Sequence, residues 1–134
     1  MEVEEKRGNM ARKNLTHEII IAATLKLIEE KGSITNLNFR EIARELGCAH
    51  TSIYNFFPSY GDLLLEAGRT IMMDMRKVLV HQSKGYVSDG TYENPVIAYI
   101  ACVMEYALSH RGWYRFLWMD NYDVDINAIF KDQP

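Results

Sequence analysis

The stretch that decides the fold is FREIARELGCAHTSIYNFFP, residues 39–58. Phe39, Ile42, Ala43 and Leu46 recur at the three- and four-residue steps of one helix face, with Arg40, Glu41, Arg44 and Glu45 opposite. Asn38 in front and Glu41 three residues on make a capping-box-like start, Asn standing for the usual Ser or Thr. Gly47 stops this helix. A second apolar segment then begins, Ile53, Tyr54, Phe56 and Phe57, and Pro58 closes it by disfavouring the α conformation at Phe57. With Phe39 as position one, Ala43 is fifth, Gly47 ninth and Ile53 fifteenth. Two short helices that cross steeply must touch closely, which asks for the small Ala43. The chain reverses in very few residues, which asks for the positive φ that glycine tolerates at Gly47. Ile53 anchors the second helix on the first, with Ile42, Leu46, Cys48 and Phe56 at the flanking apolar positions. These residues predict a helix-turn-helix pair, although the spacing alone also arises by chance in unrelated helical proteins.

Outward from this pair the pattern stays helical. Upstream, Ile20, Ala23 and Leu27, with Ile19 and Ile28 beside them, predict a helix from about Thr16 to Lys31, and Gly32 follows as a left-handed C′ residue. Residues 1–14 are charged and aperiodic and read as an arm. Downstream, Pro58–Gly61 reads as a turn, and Asp62 stands where it would cap a long helix through Leu63, Leu64, Ala67, Ile71, Met75, Val78 and Leu79. Gln82–Thr91, containing Gly85 and Gly90, reads as a loop. Asn94-Pro95 is an N-cap followed by proline at the first helical position, and Val96–Leu108 is an almost wholly apolar helix. His110-Arg111-Gly112 breaks it, Trp113–Met119 begins another, and the acidic remainder is irregular apart from Ile126–Phe130. The expected fold class is all-α: an arm over residues 1–14, a three-helix helix-turn-helix domain over 15–60, and a partial helical bundle over 61–134.

Composition narrows the function classes. Of 134 residues, 48% are hydrophobic and 25% charged, the balance of a globular chain. No apolar run approaches the roughly 20 residues that span a bilayer. The N-terminus, MEVEEKRGNMARKN, lacks the apolar region of a secretory leader, and Cys48 and Cys102 read as reduced thiols packed in a core. The expectation is a cytoplasmic protein with no membrane partner. Net charge is −3, yet residues 6–60 carry eight Lys/Arg against five Asp/Glu, while the chain from Gly61 carries seven against ten. A basic head on an acidic body suits a polyanionic partner, because phosphate contacts need local positive charge rather than a basic whole.

No catalytic chemistry is written in the chain. It holds no nucleophile with a base at sensible spacing and no phosphate-cradling glycine loop. His17, His81 and His110 share no ligand spacing, and Asp120, Asp123 and Asp125 lack the glycine and closing glutamate of a calcium loop. The chain is expected to be no enzyme and to hold no metal and no cofactor.

The string REIARELG, four further residues, then SIYNFFPS, preceded by AATLKLIEEKGS, resembles the N-terminal domain of the TetR family of transcriptional regulators. Arg40-Glu41-Ile42-Ala43, Leu46-Gly47, Ile53-Tyr54, Phe57 and Asp62-Leu63-Leu64 fall on family motif positions. The resemblance is strong from about Leu15 to Leu65, and thinner at Tyr106–His110 and Trp113–Phe116, which look like a junction of two helices in the family's regulatory domain. It implies that the segment from about Ala49 to Phe57 is a recognition helix entering the major groove of double-stranded DNA. His50, Thr51, Ser52 and Asn55 would then reach bases, Tyr54 and Arg40 would meet phosphates, and Arg12 and Lys13 would follow the backbone or enter the minor groove. A surface histidine at position 50 and a packed aromatic at position 54 are the plainer alternatives.

Two departures from the family pattern bear on affinity. Ala49 stands where a capping Ser or Thr is common, and Tyr60 where a phosphate-gripping lysine is usual. Tyrosine neutralises no charge, so weak DNA affinity with a shallow salt dependence is expected. The resemblance further implies a ligand-responsive repressor that binds a pseudo-palindrome as a homodimer. Its small-molecule effector would lie among helices after Asp62, near Met75, Tyr99, Met104, Tyr106, Trp113 and Phe116. The plainer role for most of these six is core or dimer packing. Family members continue through further helices where this chain stops at Pro134, so residues 61–134 read as an incomplete regulatory and dimerisation domain, or a short one with an unusual dimer. The rival reading is a helical sensor or protein-interaction module of the same fold that has lost DNA binding.

Overall fold

A computed structural model describes residues 15–34 and 37–119, and within them the chain forms six helices and no strand. Helix α1 spans His17–Lys31, α2 Phe39–Leu46, α3 His50–Ile53, α4 Tyr60–Ser88, α5 Pro95–Ser109 and α6 Arg111–Trp118. The all-α expectation holds. The arm at residues 1–14 and the tail from Asp120 lie outside the described residues.

Local signals set most of the boundaries. Thr16 caps α1 by accepting from the Ile19 N–H, and Gly32 ends it at φ 70°. Asn38 caps α2 by accepting from the Glu41 N–H, but the Glu41 carboxylate turns to Arg44 and Lys31 instead of completing a capping box. Gly47 ends α2 at φ 68°, the left-handed conformation that the sharp reversal needs. Asn94 caps α5 ahead of Pro95.

Four boundaries differ from the sequence reading. The recognition segment is a regular helix only over His50–Ile53 and then tightens into turns, with Asn55 N–H bonded to Ser52 and both the Phe56 and Phe57 N–H groups bonded to the Ile53 carbonyl. The uncapped Ala49 at its start and Pro58 at its end leave little to sustain a longer helix. Ser59, not Asp62, is the N-cap of α4; its hydroxyl accepts from the Asp62 N–H and donates to the Asp62 carboxylate, so the expected turn shortens. The segment 82–88, expected as a loop, continues α4. Gly85 costs a helix about 1 kcal/mol relative to Ala, but Tyr86 packs edge-on against Tyr92 and donates to Glu105 of α5, and this packing overrides the propensity. Finally, the break between α5 and α6 is the single residue His110, at φ −128° and ψ 58°.

The core sits in two parts along α4. The larger joins Ile20, Leu27, Ile28, Ile42, Ala43, Ile53, Phe57, Leu63, Leu64, Ala67 and Ile71 with Phe116 and Leu117 of α6. Thus α6, the last described helix, fills the core of the helix-turn-helix unit. The smaller part is Leu79, Cys102 and Tyr106 between α4 and α5, with Met75, Val78, Tyr86, Val103 and Trp113 packed around it.

Candidate nucleic-acid interface

The recognition segment presents its polar residues because its apolar ones are taken. Ile53 is fully buried and Phe57 is 4% exposed, anchoring both ends of the segment on the core. With those two fixed, Thr51, Tyr54 and Asn55 face solvent and His50 and Ser52 are half-buried. All five sequence-predicted contacts of the segment therefore share one short stretch of surface, the N-terminal turn of α3 and the turn after it.

Beside this stretch lies a groove of about 430 Å³, lined by Leu37, Asn38, Phe39, Arg40, His50, Tyr54 and Tyr60. The groove brings together four of the predicted residues from three elements: Arg40 of α2, His50 and Tyr54 of the recognition segment, and Tyr60 of α4. Its floor is aromatic. Phe39 receives Tyr54 edge-on at 4.7 Å between ring centroids and Tyr60 edge-on at 5.7 Å. Tyr54 is thus a packing residue that is still half exposed. Leu37, Asn38 and Phe39 were missed as groove residues; a residue that caps or anchors one helix leaves no sequence mark of the wall it forms for another.

Tyr60 has an unusual setting. Its hydroxyl is buried with no hydrogen-bond partner among the described residues, and burial pushes its phenol up to about 12. A buried polar group without a partner costs roughly 1–3 kcal/mol, which favours an acceptor arriving from outside.

The charge of the interface is not where composition alone suggested. Residues 15–60 hold four Lys/Arg and five Asp/Glu; the basic excess of the head comes from Lys6, Arg7, Arg12 and Lys13. Arg12 and Lys13, expected as arm contacts, lie outside the described residues. Within the described head, Lys26 pairs with Glu30 and Glu45, Lys31 with Glu41 at 3.9 Å, and Arg44 with Glu41 at 3.2 Å. Arg40, exposed at the rim of the groove, makes no ion pair among the described residues.

Another residue discounted in the sequence supports the segment from behind. His17, at the start of α1, brings Nε2 to 3.1 Å from the Phe56 carbonyl and sets its ring edge-on to Phe56 and Phe57 at 5.1 and 5.2 Å. No periodicity links positions 39 residues apart, so nothing in the sequence marked this contact.

The six expected effector residues do not gather at one site. Tyr106 belongs to the smaller core with Met75 and Trp113 packed against it, and Phe116 is fully buried in the larger one. Tyr99 and Met104 are 45% and 62% exposed on α5. A second hollow, of about 240 Å³, lies between α1 and α4, lined by His17, Glu18, Ile21, Ala22, Leu25, Glu66 and Thr70; a third lies between Ser83–Ser88 and Pro95. None of the three hollows includes any of the six. Among the described residues there is no cluster of metal-ligating side chains, and no helix is long and apolar enough to cross a membrane.

Comparison with known proteins adds one match. Residues 20–67 match bacterial regulatory proteins of the tetR family, and this span runs from the first turn of α1 through both short helices into α4. No curated protein and no solved structure matches the chain.

Proposed function

We propose that this DNA-binding transcriptional regulator, a member of the tetR family through residues 20–67, is a ligand-responsive repressor that reads a pseudo-palindromic operator as a homodimer. In this reading His50, Thr51, Ser52 and Asn55 meet base edges in the major groove, while Arg40, Tyr54 and Tyr60 meet phosphates. The observation that carries it is the coincidence of the family match with an exposed polar segment beside a groove holding Arg40 and an unpartnered tyrosine hydroxyl. Two recognition segments on a dimer would sit one helical turn apart, ~34–36 Å. An effector among the helices after α3 would act by binding one separation of those segments better than the other.

One observation favours the rival, a sensor or interaction module without DNA binding. Three of the four described cations of the head are spent on its own glutamates, which leaves Arg40 to face the groove. The same observation supports weak affinity and a shallow salt slope if DNA does bind, since each phosphate neutralised contributes about −0.9 to the slope.

Selection of bound duplexes from a random library at low salt decides between them. An enriched palindrome is the expected result, and Asn55→Ala or His50→Ala should then relax specificity at a defined base pair by about 1–3 kcal/mol. A single enriched half-site would keep DNA reading and remove the dimer. No enrichment would overturn the repressor reading in favour of the sensor.

A further inference from the structure

The elbow between α5 and α6 is fastened to α1 by polar bonds as well as packing. The Glu29 carboxylate accepts the Gly112 N–H at 3.1 Å and lies 2.9 Å from His110 Nδ1. Trp113 Nε1 donates to the Leu25 carbonyl at 2.8 Å, and its indole stacks flat on the His110 ring at 4.2 Å. Gly112 is seated so tightly that a Cβ there would lie 2.4 Å from the Ile28 carbonyl oxygen. His110 supplies no side-chain cap to α6. The orphan N–H groups at a helix start need acceptors, and here a carboxylate from another helix provides one.

The same helix that carries Glu29 near its end carries His17 at its beginning. Helix α1 has 15 residues, about 22 Å at 1.5 Å per residue. At one end α6 holds it through Glu29; at the other it holds the recognition segment through His17, Phe56 and Phe57. Between them Lys26 pairs with Glu45 of α2. A rod fixed at both ends transmits a change of tilt from one to the other.

We infer that Glu29 is a positioning residue for DNA reading: by capping α6 from α1 it fixes the tilt of α1 and, through His17, the pose of His50–Asn55. This rests on the DNA-binding reading above. Glu29 is remote in chemistry from the groove, and its effect passes through the fraction of molecules in the competent pose.

The donor count makes the inference testable. With His110 Nδ1 protonated, Glu29 meets two donors, and a carboxylate accepts both. Glutamine still offers its carbonyl to the Gly112 N–H, whereas alanine offers no acceptor. The groups facing His110 are Glu29 from α1 and Tyr106 from α5, at 4.7 Å between ring centroids, with Asp74 of α4 bonded to the Tyr106 hydroxyl; Trp113 of α6 presents an uncharged face.

The experiment measures full-chain affinity for the selected duplex by fluorescence anisotropy at a single pH, with melting curves showing that each variant is folded. Glu29→Ala is expected to bind about tenfold more weakly than wild type, as the competent fraction falls to roughly one tenth. Glu29→Gln, whose carbonyl still accepts from Gly112, is expected within about twofold of wild type. A purely structural role would lower melting temperature without this difference in affinity. Glu29→Ala within twofold of wild type, or Glu29→Gln as weak as the alanine variant, would overturn the inference; Glu29→Met, which also lacks an acceptor but keeps the stem, replaces an alanine variant that does not fold. Absence of any wild-type duplex binding would overturn the DNA-binding reading and this one with it, whereas wild-type binding insensitive to Glu29 overturns this one only.

Discussion

The two halves of α4 lie in contrasting surroundings. The first half is enclosed by α1, α2, α3 and α6, and Leu63, Ala67 and Ile71 on it are fully buried. The second half pairs with α5 in a hairpin whose cluster buries Leu79, Cys102 and Tyr106, with Trp113 of α6 packed at its edge. The face of α5 turned away from that cluster, Val96, Ile97, Ile100, Met104 and Leu108, is between 53% and 65% exposed. The head is therefore closed by a helix from the far end of the described chain, while the hairpin between them is open along one side. The difference teaches that the core of the helix-turn-helix unit is not contiguous in sequence: Phe116 and Leu117 from α6 complete it.

Five substitutions would break or sharpen that comparison. The largest effect is expected at Phe116→Ala, which empties a fully buried site in the closed core and should cost about 3–5 kcal/mol. Leu79→Ala in the open hairpin should cost nearer 2 kcal/mol, because neighbours with solvent beside them relax into the space. Urea unfolding followed by circular dichroism measures both, and equal losses would refute the contrast.

Glycines give the next test. Gly112→Ala puts a Cβ 2.4 Å from the Ile28 carbonyl and 2.9 Å from Glu29 Cα, both backbone atoms, so α6 must shift at a cost of about 1–3 kcal/mol or more. A Cβ at Gly85, in the open hairpin, would meet nothing within 4 Å, and Gly85→Ala should stabilise by about 0.5–1 kcal/mol. Melting temperatures should move in opposite directions, and a Gly112→Ala variant that melts no lower than wild type would show that α6 does not pack as described.

The smallest expected effect lies at Tyr60, whose buried hydroxyl has no hydrogen-bond partner among the described residues. Tyr60→Phe should stabilise the free protein by about 1 kcal/mol by removing an orphaned hydroxyl. Burial raises the phenol from 10 to about 12, so between those values the unfolded chain ionises and the folded one does not. The folded state therefore loses stability as pH rises from about 10 toward 12, and Tyr60→Phe should lose less over that window in melts at pH 9 and pH 11. If a phosphate accepts from this hydroxyl, the same variant binds the selected duplex more weakly while melting higher.

Much of the head was legible in advance because its signals are local. Thr16, Asn38 and Asn94 sit at helix starts where a short polar side chain bonds an N–H two or three residues on, and Gly32 and Gly47 sit where the backbone turns left-handed. The spacing from Phe39 to Ile53 set the crossing of two helices because each position packs against residues within the same short stretch. Where local signals conflicted with packing, packing won. Gly85 read as a loop, yet Tyr86 and Glu105 hold α4 helical through Ser88. Asp62 read as a cap, yet Ser59 three residues earlier takes that place and Asp62 bonds back to it.

By itself the sequence determined the helical class, the helix-turn-helix turn, the polar residues of the recognition segment and the family they resemble, since each is encoded within a few turns of chain. Only the tertiary structure decided that α6 fills the core of the head, that Glu29 caps it, that His17 holds the recognition segment, and that the six expected effector residues separate between two cores and an exposed face. Those outcomes depend on contacts between positions 39 to 88 residues apart, and side-chain periodicity carries no information at that range: it states which face of a helix is apolar, and the packing of the whole chain states what that face meets.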